Sequence, residues 1–528
     1  MRRYLPIALL LITVAAATAV SGQRRTRMPL GAPEIDAIAT LLKLEDARTF
    51  DQPALARILG SPHPEVRRRA AQSVGRIADK RGAALLDIAR NDLDVEVAAT
   101  AAWAAGQLRD PAAVGWLSGA LMAPATAPTV AREAAIALGK IQAAEARAAL
   151  ARYLAAAPSA KTAAATVGEA LLSLGRHPAD GNLEPILKWT PSPDAEVRWR
   201  ATWALVRPRN PAALPHLLRL SHDRSADVRY WAVRGLIPYP DVDPSAAAAR
   251  LRAAVGDTDR QVRTEALRAL AQHGDEESFA VVVKMLESPD AWLSVSAAEA
   301  MARFPTRADV VVPRLVAAAG ADRPQALRVT ARQSLSRLGP AGKTALDDLT
   351  TEGLPARAPV VRGPRPVPQL RTDAEYRQLV ERWIVPDYNG ARKPRAEWVT
   401  PRGRIELELY PGDAPLGLEF FIRVVESGEI VGTEFSRVVP NFVAQQRAIR
   451  HDVVLRDEVT RLGLTRGNLS WASAGLDTGR PGYTLGVTPQ PHNEGNFTAL
   501  GRVVSGMDVV ERLELGDRIT AARMIIVR

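Results

Sequence analysis

A short pattern returns nine times along this chain, and repetition of that kind limits the fold before any motif is weighed. An aliphatic residue is followed four positions later by Ala, eight later by an apolar residue and often nine later by Gly. It reads Val66/Ala70/Val74/Gly75, Val97/Ala101/Ala105/Gly106, Val130/Ala134/Leu138/Gly139 and, with Thr in the first place, Thr166/Ala170/Leu174/Gly175. Val197/Ala201/Leu205, Val228/Ala232/Leu236, Val262/Ala266/Leu270, Leu293/Ala297/Met301 and Leu327/Ala331/Leu335 complete the set. Successive anchors lie 31, 33, 36, 31, 31, 34, 31 and 34 residues apart. The i, i+4, i+8 spacing puts these residues on one helical face. Asp94, Asp194, Asp259 and Asp290 each stand three residues before an anchor, with Ser225 in the matching place, as N-caps would. A second apolar stretch precedes each cap, as in Leu214, Leu217 and Leu218. Each unit is therefore predicted to be two antiparallel helices. One pair cannot bury both its faces, so residues 30–350 must stack into an all-α solenoid.

These repeats resemble the HEAT-repeat family in its short variety. The pairs Val66-Arg67, Val197-Arg198, Val228-Arg229 and Val262-Arg263 match the habit of its second helix. The resemblance implies a surface offered to a protein partner. Trp199, Trp203, Tyr230 and Trp231 cluster over two adjacent repeats. They either fill gaps between stacked helices or form an exposed patch flanked by Arg198, Arg200 and Arg229, as at an interface hot spot.

Of the 528 residues, 47% are hydrophobic and 24% charged, a composition that folds. The net charge of +11 raises nucleic acid as a partner. However, only 8 of the 69 cations are Lys, and the Arg residues are spread evenly, which resembles codon bias more than a binding stripe. From Glu397 onward 15 Arg face 17 Asp plus Glu, so nucleic acid is not expected as a partner. The absence of Cys excludes disulfides, Cys-based zinc sites and a thiol nucleophile. The seven His residues show no ligand spacing, so neither a metal nor another cofactor is expected.

Met1-Arg2-Arg3 and the apolar run Tyr4 to Val20 have the charged start and apolar middle of a secretory signal, with cleavage contexts that assign residues 1–22 to it. The expectation is export to the periplasm or cell envelope without stable membrane insertion after cleavage; the alternative is an N-terminal anchor. Residues 351–371 carry five prolines and read as a semi-rigid linker. Residues 372–396 open with a capping box, Thr372-x-x-Glu375, followed by Tyr376, Leu379, Val380 and Trp383. This helix is expected to end before Pro386 and to dock its apolar stripe on the last domain.

From residue 397 to 528 the period changes. Arg404 to Leu409 alternates as a half-buried strand does. Further strands are expected at Phe435–Val439, Asn468–Ala472, Tyr483–Val487, Thr498–Val503 and Met524–Val527, with helices from Leu416 to Val425 and after Gly506. The sum is a small, mostly-β barrel with two helices.

Here the residues resemble the cyclophilin family of peptidyl-prolyl isomerases. The segment Phe435-Ser436-Arg437-Val438-Val439-Pro440-Asn441-Phe442-Val443-Ala444-Gln445 matches its central motif. Asp457-Glu458, Asn468 to Gly475, Pro489-Gln490-Pro491-His492 and Gly501 to Val510 match later blocks in order. The resemblance implies that Arg437 is the catalytic cation, that Phe442 and Val443 line a proline cup, and that Gln445 holds the substrate backbone. It further places Ala472, Ser473, Thr484 and Phe497 in the substrate site. Several positions depart from the family. Its substrate-contacting Gln is Gly482, an aromatic wall is Thr484, its Asn is Ser473, and a Gly-rich loop is replaced by Gln446 to Asp452. The leading reading is a prolyl isomerase acting on X-Pro bonds of protein or peptide clients, with a solenoid that binds protein. The alternative is a weak or inactive scaffold of cyclophilin fold that binds extended peptides.

Overall fold

A computed structural model describes residues 28–158, 161–178, 181–349, 370–449, 454–473 and 475–525. The signal assigned to 1–22 and nearly all of the linker at 351–371 lie outside them. Every anchor falls in the second helix of a pair: Pro64–Ile77, Val95–Leu108, Pro128–Lys140, Ala164–Arg176, Ala195–Val206, Ala226–Arg234, Arg260–Leu270, Ala291–Met301 and Gln325–Leu335. These helices pack side by side in chain order, beginning against the helix Ala32–Ala47. The Ala at each centre is fully buried. The recurrent Gly permits close approach: a Cβ at Gly75, Gly106, Gly139 or Gly175 would lie 2.5 to 2.7 Å from an atom of the following helix. Asp94, Asp194, Asp259 and Asp290 accept N–H bonds from their own first turns, as expected of N-caps. Ser225 holds the same position, but its side chain accepts no such bond. The aromatic cluster is interior. Trp199, Trp203, Tyr230 and Trp231 are 1–6% exposed and meet ring to ring, so they fill the gap between two repeats and form no surface patch.

The C-terminal domain is an eight-stranded antiparallel barrel of order β3-β4-β6-β5-β7-β2-β1-β8. The strands are β1 (Arg395–Thr400), β2 (Gly403–Leu409), β3 (Phe435–Val439), β4 (Val443–Gln446), β5 (Asn468–Ala472), β6 (Arg480–Gly486), β7 (Ala499–Ser505) and β8 (Ala521–Ile525). Backbone bonds between 432–435 and 516–519 close the ring. Helices Pro415–Glu426 and Met507–Arg512 pack onto it. Strand β1 starts two residues before the expected boundary, because Ala396 is buried against Leu407 yet too small to mark an apolar position. Strand β4 lay unread inside the motif: four residues carry too little alternation to signal a strand.

The linking helix differs from expectation. Tyr376, Leu379 and Val380 join the solenoid core, and the Tyr376 hydroxyl donates to Asp46 at 2.8 Å. Of the apolar stripe, Trp383 packs on the barrel and donates to Glu419 at 2.6 Å, beside Arg382, which pairs with the same carboxylate at 3.1 Å. Nor does the helix stop at Pro386. Residues Val380–Ile384 widen into a π-turn, and Pro386 enters the next turn, Val385–Tyr388, where a first-turn proline leaves no bond unmade.

The barrel lies against the ladder of second helices, held by solenoid side chains that donate to its loop carbonyls. Arg69 bonds Gly412 O, Arg76 bonds Val459 O at 3.0 Å, and Arg176 bonds Pro491 O at 2.8 Å. Arg260 bonds Glu511 O at 2.7 Å, and Arg268 bonds Pro440 O at 3.0 Å. Trp292 inserts into the barrel's own apolar cluster. The second-helix side of the solenoid is therefore occupied, from the first repeat to the eighth, by the chain's own domain. These five arginines form a row that faces the barrel.

The Arg76 guanidinium also pairs with Glu45 at 2.9 Å, both side chains being at most 5% exposed. Removing it leaves a buried carboxylate unpaired, which costs about 3–5 kcal/mol. Arg76→Ala should lower stability by that amount in urea titration, while exposed Arg81→Ala should stay within about 0.5 kcal/mol of the parent.

Candidate functional site

Strands β3, β4, β6 and β5 carry one row of residues across the barrel wall. Arg437 pairs with Gln445, Gln445 with Thr484, and Thr484 with Ser470. Their neighbours Ala444, Leu485 and Leu469 enter the core, so alternation turns this row to the outer face. Arg437 is exposed, and its guanidinium donates to Gln445 Oε1 at 3.4 Å while lying 5.4 Å from the Phe442 ring centre. Phe442 stacks in turn on His492, with centroids 6.1 Å apart and planes at 24°. A cation, an amide and a two-ring wall thus adjoin on one surface.

The hairpin between β3 and β4 makes this possible. Asn441 adopts a left-handed φ of 60°, a region Asn tolerates better than most residues. The hairpin is pinned from the following segment: Val487 N–H donates to Phe442 O at 2.9 Å, Thr488 Oγ1 to Asn441 O at 2.8 Å, and Gln490 Nε2 to Phe442 O at 3.3 Å. Gln490 thus fixes the hairpin and His492 backs the Phe442 ring. Sequence reasoning recorded their block but missed both roles; the polar-Pro-polar spacing beside a motif hairpin was the available signal.

Val443 is buried at 5% exposure on the same face as Gln445. Ala472 ends β5 half-buried, and Ser473 follows with its hydroxyl buried and, among the described residues, unpartnered. Phe497 is half-buried one residue before Thr498. Thr484 Oγ1 lies 2.6 Å from Ser470 Oγ, so it puts a hydrogen-bonded hydroxyl where an aromatic wall was the family pattern. Contacts join Arg437, Phe442 and Gln445 directly, and strand register joins Thr484 to them.

Gly482 has a steric explanation. A Cβ there would sit 3.1 Å from both Gln446 O and Ala448 N, because the short segment after β4 runs alongside and Ile449 N–H donates to Pro481 O at 2.8 Å. The shortened loop occupies the room that a side chain would need.

The motif residues Asp457 and Glu458 serve structure. Glu458 accepts from Leu416 N and Gly417 N, at 3.1 and 2.7 Å, at the start of helix Pro415–Glu426, where the helix end favours an anion. Burial nevertheless pushes its carboxyl up to about 7, against the pull of Arg76. Asp457 exchanges bonds with Asp477, which Arg48 of the solenoid clamps at 2.6 and 2.8 Å.

The model of the cyclophilin type peptidyl-prolyl cis-trans isomerase family matches residues 396–527, and that of the HEAT repeats matches 82–168, 166–237 and 242–349. Peptidyl-prolyl cis-trans isomerase B of Bacillus subtilis is 33% identical over 129 residues, spanning 23% of this chain and 90% of the relative. A peptidyl-prolyl cis-trans isomerase of Helicobacter pylori is 31% identical over 132 residues, 22% of this chain and 78% of its own. A solved cyclophilin type isomerase of Cryptosporidium parvum shares 18% identity over 26% of this chain and 99% of its own, with a TM-score of 0.24.

Gly482→Gln should push the segment 446–449 aside by a few tenths of an ångström. The expected loss is on the order of 1–3 kcal/mol, read by thermal unfolding. Unchanged stability would show that the segment yields freely.

Proposed function

The chain belongs to the cyclophilin-type peptidyl-prolyl cis-trans isomerase family, and we propose that it isomerises X-Pro bonds of protein clients with Arg437 as the working cation. The observation that carries this is the adjacency of Arg437, Gln445 and the Phe442–His492 wall on one open strand face. Twisting an X-Pro bond loses amide resonance, over a barrier near 20 kcal/mol. No bond breaks and no proton need move. A guanidinium donating to the twisted peptide binds that state better than the planar one, which lowers the barrier. The ring wall holds the pyrrolidine, and Gln445 holds the backbone beside it. The Thr484 hydroxyl in place of an aromatic removes apolar area worth about 1–3 kcal/mol of ring binding, so turnover of small peptides is expected to be slow.

The apolar run behind Arg2 and Arg3 supports export, and the clients are then proteins of the cell envelope. Intact-mass measurement of native protein should show loss of roughly the first 20 residues; a retained Met1 favours the anchored form.

In a protease-coupled assay of the full chain, Arg437→Ala should lower kcat/KM roughly 10- to 200-fold, the worth of a charge-assisted bond of about 1.5–3 kcal/mol. A scaffold that only binds extended peptide would show no rate above background in the parent. Desolvation, together with Arg207, Arg234 and Arg176, pushes His492 down to about 4, although the residue is exposed. Its imidazole is therefore neutral above roughly pH 5. The kcat/KM profile should be flat from about pH 6 to 9; a limb near pH 6.5 would place a normally titrating His in the step.

A further inference from the structure

Ten residues after the repeat anchor, the second helices carry a recurring polar position. In early repeats it is Arg76, Gln107 and Arg176, and each donates to a barrel carbonyl. In the last two repeats it is Arg303 and Arg337, both exposed and, among the described residues, without an acidic partner within 4 Å. They line a cavity of about 470 Å³ together with Arg234, Arg268, Glu265 and Glu299. Arg234 is paired with Glu265 at 3.1 Å and Arg268 with Glu299 at 3.3 Å, so the surplus of two positive charges sits on Arg303 and Arg337. Ser296, in the same lining, is 1% exposed, and among the described residues its hydroxyl has no hydrogen-bond partner.

The cavity touches the isomerase face. Arg268 spans the two, donating to Pro440 O at 3.0 Å from within the lining. Pro440 sits in the hairpin between Arg437 and Phe442, and Arg437 is three residues away, about 10 Å at strand rise. Arg437 lies 5.4 Å from the Phe442 ring, so an extended client whose proline sits between them has the cavity within about three residues of that proline.

We infer that this cavity is a specificity site for acidic side chains about three residues from the isomerised proline, read by Arg303 and Arg337. The inference rests on the isomerase reading above. It makes the last repeats a substrate-selecting wall, while the earlier ones mount the barrel.

The test uses the full chain and three X-Pro peptides: a neutral one, one with Glu at the third and fourth positions before proline, and one with Glu at those positions after it. One acidic peptide should be turned over with a kcat/KM roughly five- to tenfold above the neutral one, the scale of two solvent-facing ion pairs. The preference should shrink between about 50 and 500 mM salt. Arg303→Gln/Arg337→Gln should abolish it and leave neutral-peptide turnover unchanged. Fluorescence anisotropy with Arg437→Ala should show the same preference in binding. If the neutral peptide is turned over but neither acidic peptide is favoured, the inference is overturned and the isomerase reading stands. If no peptide is turned over, yet Arg437→Ala binds the acidic one through Arg303 and Arg337, the isomerase reading fails and the acidic site stands. Equal competition by a single-stranded DNA oligonucleotide, lost in the double variant, would overturn it in favour of a general polyanion site.

Discussion

The guanidinium of Arg76 is where two folds become one molecule. It is 4% exposed, pairs with Glu45 on the first solenoid helix, and donates to Val459 O, in the barrel segment that carries Asp457 and Glu458, and to Asp413 O. That segment in turn supplies the carboxylate at the head of helix Pro415–Glu426. A buried cation needs every donor engaged, so the barrel's loop carbonyls and the solenoid's acid are required together. Arg48 repeats the arrangement one helix earlier, through Asp477 and Asp457 O.

This gives the basic excess of the first 400 residues a purpose that charge counting could not see. Barrel loops present carbonyls that have no strand partner. Arginine, with five donors in a planar fork, satisfies them at a distance from its own helix. Arg76, Gln107 and Arg176 donate from the position ten after their anchors, and Arg69, Arg260 and Arg268 from other turns of the second helices, which sets a row of donors at the spacing of packed helices. Polyanion binding and docking of a neutral, carbonyl-rich surface therefore leave the same mark on composition.

The path of the chain constrains the shape. Helix Gly339–Asp347 follows the last repeat, whereas the next described helix, Asp373–Leu379, packs on Ala32–Ala47 at the opposite end. The chain thus returns to the start of the array, and the barrel contacts both regions, through Arg69 and Arg76 at one and Trp292 at the other. Trp292, a solenoid residue in the barrel's core, marks how closely they meet.

The sequence by itself determined the repeat helices, most of the strands and the family of each half. Anchors Val66 through Leu327 predicted every second helix, because a period of 3.6 and a buried Ala are local properties. The Phe435–Gln445 block located Arg437, Phe442 and Gln445, because residues on paired strands stay close in the chain. The chain alone could not say what lies across from each of them. That His492 backs Phe442, that Gly482 yields its space to Ala448, and that Thr484 bonds Ser470 are contacts between segments 14 to 50 residues apart. That the tryptophans at 199, 203 and 231 point inward needed the neighbouring repeat. The orientation of the solenoid toward its own barrel was decided only by tertiary structure. An exposed arginine and one donating to a distant carbonyl are the same residue in the same helical position until the partner surface arrives.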